Sequence, residues 1–207
     1  EEYRKLLQCH TWDLIEKPDD RKPIGYRWVL SAKSKSNGEL QKFKARLVVR
    51  GFSQRVGLDF DEIPSPVAHA ESQRLLLALT VKYNLKMRQT DVISAFLNGD
   101  IDADIFMEQP DGFRSPEFPK RFCKLRNGLY GLKQAGYIWN KKLNEFLTKS
   151  LNFVRCRSDH CVYYLHTDSG KLLLLCLHVD DMLFSHNDDA ELEHIVRRLN
   201  AEFGNTD

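Results

Sequence analysis

The sequence predicts an α+β fold, and three stretches carry that expectation. β-forming runs at residues 26–35 and 40–50 flank Ser36-Asn37-Gly38-Glu39, where Asn-Gly is a strong hairpin signal. Residues 133–151 place Ile138, Trp139, Leu143, Phe146, Leu147 and Leu151 at helical spacing. Residues 171–185 read as two apolar strands interrupted at Asp180-Asp181.

The other elements follow in order. Residues 1–9 read as the end of a helix, and residues 57–66, with Gly, acids and two prolines, as a loop. Leu75, Leu76, Leu79 and Tyr83 give residues 71–83 a helix period. A short strand is expected at 86–92, then a helical Ser94-Ala95-Phe96-Leu97 that stops at Asn98-Gly99. Residues 104–107, 122–125 and 161–165 are further strand candidates. Residues 188–203 begin with acids and carry Arg197-Arg198 later, the order a helix dipole favours. No internal repeat, low-complexity tract or linker interrupts the pattern.

Composition excludes several classes. With 207 residues, 42% of them hydrophobic and 29% charged, the chain has the make-up of a globular protein of one good-sized domain or two small ones. The longest apolar run, 172–177, is far short of the ~20 residues a membrane span needs. No secretory signal follows Glu1, and the missing initiator Met suggests a piece of a longer protein. Five scattered cysteines suit reduced thiols inside a cell better than a disulfide framework.

The net charge of +2 hides an alternation. Residues 22–55 hold nine Lys/Arg and one acid, and residues 91–117 hold seven acids and one base. Residues 120–157 hold ten bases and one acid, and residues 180–207 hold eight acids and two bases. Basic blocks suit a polyanion and acidic blocks suit cations, although any single block also reads as a solvated face.

The sharpest chemical feature is His178-Val179-Asp180-Asp181 between apolar strands. The gap allows only a tight turn, which sets two carboxylates side by side at a hairpin tip. Such acids repel each other and favour a cation, and oxygen-only ligands suit Mg²⁺. Asp is also common in plain turns. Asp91, at the end of an expected strand, would complete a carboxylate cluster for two metals, or else simply cap a helix. Cys156, Cys161, His160 and His166 lack the tight paired spacing of zinc sites, and no phosphate-loop, dinucleotide or serine-hydrolase motif occurs.

These residues lie within a longer series that resembles the reverse transcriptase domain of Ty1/copia-type retrotransposon Pol polyproteins. The series begins with Thr11-Trp12-Asp13-Leu14, Tyr26-Arg27-Trp28-Val29 and Phe43-Lys44-Ala45-Arg46-Leu47-Val48-Val49-Arg50-Gly51-Phe52. It continues through Pro66-Val67-Ala68, Thr90-Asp91-Val92, Ala95-Phe96-Leu97-Asn98-Gly99, Met107-Glu108-Gln109-Pro110 and Gly112-Phe113. It ends with Leu129-Tyr130-Gly131-Leu132-Lys133-Gln134-Ala135, Trp139 and Val179-Asp180-Asp181.

The resemblance implies a right-hand polymerase with an antiparallel palm sheet and packed helices. It places fingers at residues 1–65 and 100–132 and palm at 66–99 and 133–207, with the thumb absent. It implies that Asp91, Asp180 and Asp181 are catalytic and hold two Mg²⁺ ions, or Mn²⁺. Lys42, Lys44 and Arg46 would meet the incoming dNTP, Arg46 bidentately. Phe96 would exclude a ribose 2′-OH, unless it is simply a core residue, and Gln134 would lie near the nucleotide. Lys133 and Arg50 would contact nucleic acid.

The implied partners are an RNA or DNA template with its primer, dNTPs, and the integrase, thumb and ribonuclease H regions of Pol. No membrane partner is implied, and the implied location is intracellular, in a cytoplasmic retrotransposon particle. Two departures stand out: His178 replaces the family's usual Tyr, and Gly136-Tyr137 replaces Pro-Arg. They favour an alternative, a catalytically inactive nucleic-acid-binding remnant. A two-metal nuclease using the same carboxylates is a third reading.

Overall fold

A computed structural model of the chain describes residues 1–18, 21–61, 65–167 and 170–206. In chain order the elements are α1 (Glu2–Gln8), β1 (Trp12–Ile15), β2 (Tyr26–Ser34), β3 (Leu40–Val49), α2 (Ala70–Lys82) and β4 (Lys86–Val92). Then come β5 (Phe106–Met107), β6 (Phe122–Leu125), α3 (Ala135–Glu145), β7 (Val154–Arg155) and β8 (Val162–His166). The last are β9 (Leu172–His178), β10 (Asp181–His186), α4 (Asp189–Phe203) and β11 (Asn205–Thr206). Single 3-10 turns lie at Gly51–Ser53 and Ala95–Asn98, and α3 continues as a π-helical turn, Phe146–Ser150.

The chain forms two compact units. The first joins Glu1–Pro64 to Phe96–Trp139, and the second joins Ser65–Ala95 to Asn140–Asp207. Residues 96–99 and 133–139 cluster with the first unit. Close packing explains this: a Cβ on Gly128 would lie 2.6 Å from the Phe96 carbonyl oxygen, and one on Gly99 2.8 Å from Ile138.

In the first unit β2 and β3 form a two-stranded ribbon closed at Asn37-Gly38. Gly38 has φ +84°, a conformation open to Gly, and Lys35 N–H donates to the Glu39 carbonyl at 2.8 Å. A separate sheet has the order β1-β6-β5. Leu6, Ile24, Leu47, Val49, Leu97, Met107, Cys123, Leu125 and Leu129 belong to one buried core. The loop after β5 is held by Gln109, whose amide NH₂ donates to the Phe118 and Arg121 carbonyls, both at 2.8 Å.

The second unit holds a six-stranded antiparallel sheet in the order β11-β4-β10-β9-β8-β7. Strands β4, β9, β10 and β11, with α4 on the last connection, show the strand order of a split βαβ arrangement. Alternation divides β10 between two faces. Phe184 pairs with Arg88 and His186 with Lys86, and these two cations pair with Glu193 and Asp189 of α4. That face is therefore the one α4 covers, with Leu192, Ile195, Val196, Leu199 and Phe203 buried. Asp181, Leu183 and Ser185 point the other way, where the Ser185 hydroxyl bonds that of Thr80 on α2 at 2.7 Å.

In α2 the apolar residues that mark the helix period are unevenly buried. The helix forms, but Leu75 is 60% exposed and Tyr83 54% exposed, and the buried residues are Leu76 and Thr80. The Thr80 hydroxyl also donates to the Leu76 carbonyl at 2.7 Å. A polar residue whose hydrogen bonds are satisfied can sit in the buried stripe and turn it away from Leu75. In α3 and its continuation the expected apolar spacing gives four buried residues, Trp139, Leu143, Leu147 and Leu151.

Candidate active site

Strand register brings the acids of the second unit together. Asp181 on β10 lies directly opposite Asp91 on β4, and Asp181 also pairs with His178 across the β9–β10 turn. Directly opposed residues of an antiparallel pair share a face. Asp91, Asp181 and His178 therefore share one, opposite to the face α4 covers. Asp180 is the second residue of the turn, and its carbonyl accepts from Val92 N–H at 3.1 Å, so it lies beside Asp91 in the backbone.

The turn is strained. Val179 has φ +62° and precedes an Asp180 with ordinary φ, the type II′ pattern that prefers Gly at its first central position. A β-branched residue there is a backbone outlier of the kind that collects at functional sites. Gln89 Nε2 donates to Asp181 Oδ1 at 3.1 Å. Gln73, Gln89, Cys176, His178, Asp181 and Leu183 line a pocket of about 290 Å³ on this face. Sequence reading missed Gln73 and Gln89; the signal available was Gln89 two residues before Asp91, on the same strand face.

Among the described residues no group of three or more His, Cys, Asp or Glu side chains is arranged to hold a metal ion. Register thus sets the carboxylates together without closing them into a ligand cage. The Asp91, Asp180 and Asp181 carboxylates offer the oxygen ligands that suit a hard divalent cation, with the His178 imidazole on the same face. In the same unit, burial pushes the thiols of Cys161 and of the pocket-lining Cys176 up to about 11 each. Hydrogen bonds from the Ser158 hydroxyl and from the Asp159 and Ser158 backbone hold the Cys156 thiol below its ordinary value.

The cations of the expected site, Lys42, Lys44, Arg46, Arg50 and Lys133, lie in the first unit. Across the ribbon Val29 pairs with Arg46, Ser31 with Lys44 and Lys33 with Lys42. One face thus shows Arg27, Lys33, Lys42, Lys44 and Arg46, while Trp28, Leu30, Phe43 and Leu47 occupy the other. Two lysines directly opposed are unfavourable by themselves, and a polyanion relieves that. The Arg46 Nε is buried without a hydrogen bond, and its guanidinium lies 5.3 Å from the centre of the Tyr130 ring. The Glu2 carboxyl lies near Lys5, Lys44 and Arg46, yet burial raises it above the ordinary value.

Phe96 packs edge-on against Tyr130, with ring centres 5.1 Å apart at 72°. Gln134 is 3% exposed and its amide is engaged on both sides. Its Oε1 accepts from Gln54 Nε2 at 2.9 Å, and its own Nε2 donates to the Asp59 carbonyl at 2.8 Å. Lys133 N–H donates to Gln54 Oε1 at 2.8 Å, and its ammonium lies 4.9 Å from the Phe60 ring centre. Arg50 is exposed, and its N–H donates to the Gly25 carbonyl at 2.8 Å. Tyr130, Gln54 and Asp59 were not legible as parts of this region, since their roles depend on contacts distant in sequence.

The second unit thus carries a carboxylate-tipped hairpin on an antiparallel sheet, and the first unit a cationic ribbon. Residues 9–207 match the family described as reverse transcriptase (RNA-dependent DNA polymerase), and the chain belongs to that family. It is similar to Pol polyproteins of copia-type retrotransposons. It is 39% identical over 203 residues to the retrovirus-related Pol polyprotein from transposon TNT 1-94 of Nicotiana tabacum, covering 98% of this chain and 15% of that protein. It is 40% identical over 195 residues to the corresponding polyprotein from transposon RE1 of Arabidopsis thaliana, covering 94% and 13%. The transposon Ty1-GR3 Gag-Pol polyprotein of Saccharomyces cerevisiae is 28% identical over 203 residues, covering 98% and 11%. The chain thus spans a small part of the length of these relatives.

Proposed function

We propose that the chain is the fingers and palm of a copia-type reverse transcriptase that adds dNTPs to a primer on RNA or DNA. The observation that carries this is the register that sets Asp181 opposite Asp91 beside the Asp180 turn. The second unit would be the palm and most of the first unit the fingers.

In this reading Asp91, Asp180 and Asp181 would hold two Mg²⁺ ions, or Mn²⁺. When bound, the ions would neutralise charge on the reacting phosphate and on the attacking and leaving oxygens. The chain's own residues supply position. Gln89 fixes the Asp181 carboxylate through its amide. Arg46, with Lys42 and Lys44, receives the triphosphate, and a guanidinium meets phosphate oxygens bidentately. The Phe96 ring limits space beside the sugar, and the buried Gln134 stiffens the segment before α3. Lys133 and Arg50 contact the template–primer backbone, so binding should fall steeply with salt and read little sequence. Other Pol regions and an intracellular retrotransposon particle complete this proposal.

A second reading, a nucleic-acid-binding remnant without catalysis, is favoured by His178 and Tyr137, which stand where the family usually has Tyr and Arg. Primer extension run beside a hydrolysis assay separates the readings. Template-dependent extension supports the polymerase, strand cleavage alone supports a nuclease, and binding with neither supports the remnant.

A further inference from the structure

We infer that Tyr130 is a positioning residue whose ring holds both Arg46 and Phe96, coupling triphosphate binding to sugar discrimination. This rests on the nucleotide-site reading above and assigns a role to a residue outside the cation, ring and carboxylate set already named.

Tyr130 stands between two groups that are distant in sequence. The Arg46 guanidinium is 5.3 Å from its ring centre, within the ~6 Å reach of a cation–π contact. The Phe96 ring meets it edge-on at 5.1 Å. The backbone leaves this segment little freedom. The Tyr130 carbonyl accepts from Val49 N–H at 2.8 Å, three residues beyond Arg46 on the same strand. A Cβ on Gly131 would lie 2.1 Å from the Val49 oxygen, and one on Gly51 would lie 1.9 Å from the Gly131 oxygen. On the other side, Gly128 abuts the Phe96 carbonyl oxygen. Residues 128–131 are therefore locked both to the strand that carries Arg46 and to the turn that carries Phe96.

The chemistry explains why a ring serves here. A carboxylate partner would hold Arg46 equally well but would compete with phosphate for its charge. An aromatic face orients the guanidinium and leaves its charge and terminal nitrogens for the ligand.

The test is calorimetric titration of the chain with inorganic triphosphate, dATP and ATP, each with Mg²⁺, for wild type, Arg46→Ala, Tyr130→Leu, Tyr130→Met and Tyr130→Phe. Thermal melts run alongside. Triphosphate reports the Arg46 side, and the dATP-to-ATP affinity ratio reports the Phe96 side. Tyr130→Leu is expected to bind triphosphate about fivefold more weakly, within the usual cation–π range, and to lower the ratio. Tyr130→Phe is expected to rescue both. Tyr130→Met keeps the bulk without the π face and replaces the Leu variant if that fails to fold.

A folded Leu or Met variant with wild-type triphosphate affinity and ratio would overturn the inference alone, provided Arg46→Ala is weakened. Tyr130→Phe as impaired as Tyr130→Leu would overturn it too. Equal triphosphate binding by wild type and Arg46→Ala would overturn the nucleotide-site reading itself, and this inference with it.

Discussion

The two units position their charged groups by different means. In the second unit the acids are placed by the hydrogen-bond ladder: Asp91 and Asp181 are direct partners, and Asp180 follows from a two-residue turn. In the first unit the ladder only sorts cations onto one ribbon face. Arg46 and Phe96 are brought to a common point by the Tyr130 ring and by glycines that let backbones touch. Placement by register tolerates changes in side chains nearby. Placement by interlock depends on the absence of a single Cβ.

That contrast can be broken most sharply at Gly131. It has φ +92° and almost no space, so Gly131→Ala should cost about 3 kcal/mol or more. Gly38, at φ +84° on the ribbon tip, has nothing within 4 Å, so Gly38→Ala should cost only about 1–2 kcal/mol. Urea midpoints of the two variants check this, and equal losses would mean that the interlock contributes nothing.

A smaller effect is expected in the second unit. Val179→Gly relieves positive-φ strain and should stabilise by about 0.5–1 kcal/mol, net of the entropy Gly loses. A lowered melting temperature would mean the turn is not strained.

The smallest effect concerns His186, which is 4% exposed with Nδ1 lacking a hydrogen bond. Burial holds its pKa below the ordinary 6.5; Asp189 and the Asp188 backbone work against this, and Lys86 and Arg88 add to it. The unfolded chain therefore takes up this proton first as pH falls. The stability His186 contributes is complete above 6.5 and is lost as pH falls through its lower folded value. His186→Leu should flatten that part of the stability–pH curve, and an unchanged curve would contradict the assignment.

How far the sequence reveals these regions follows the same division. The Asn37-Gly38 hairpin and the Asp180-Asp181 turn are local signals, so both could be read directly. The pairing of Asp91 with Asp181 needed only strand order. The helix period of α2 was legible, but its buried stripe was not, because a hydrogen-bonded Thr80 is invisible to an apolar count. Strands β7 and β11 are two residues each, too short for any period. Tyr130 and the Gln54–Gln134 amide pair were illegible because each depends on contacts across many residues. The resemblance placed Gln134 near the nucleotide, and the structure shows its amide engaged with Gln54 and the Asp59 carbonyl.

Manganese binding measured by electron paramagnetic resonance, with primer–template and a dNTP present, bears most directly on the paired carboxylates. The wild-type chain should hold a pair of Mn²⁺ ions. Asp91→Asn and Asp181→Asn should each lose binding and lower primer extension by roughly 100- to 1000-fold, the range for losing one preorganised charge-stabilising group. Asp13→Asn, which breaks the ion pair with Arg126 in the first unit, should change neither. Wild-type Mn²⁺ binding in both the Asp91 and Asp181 variants would contradict the site.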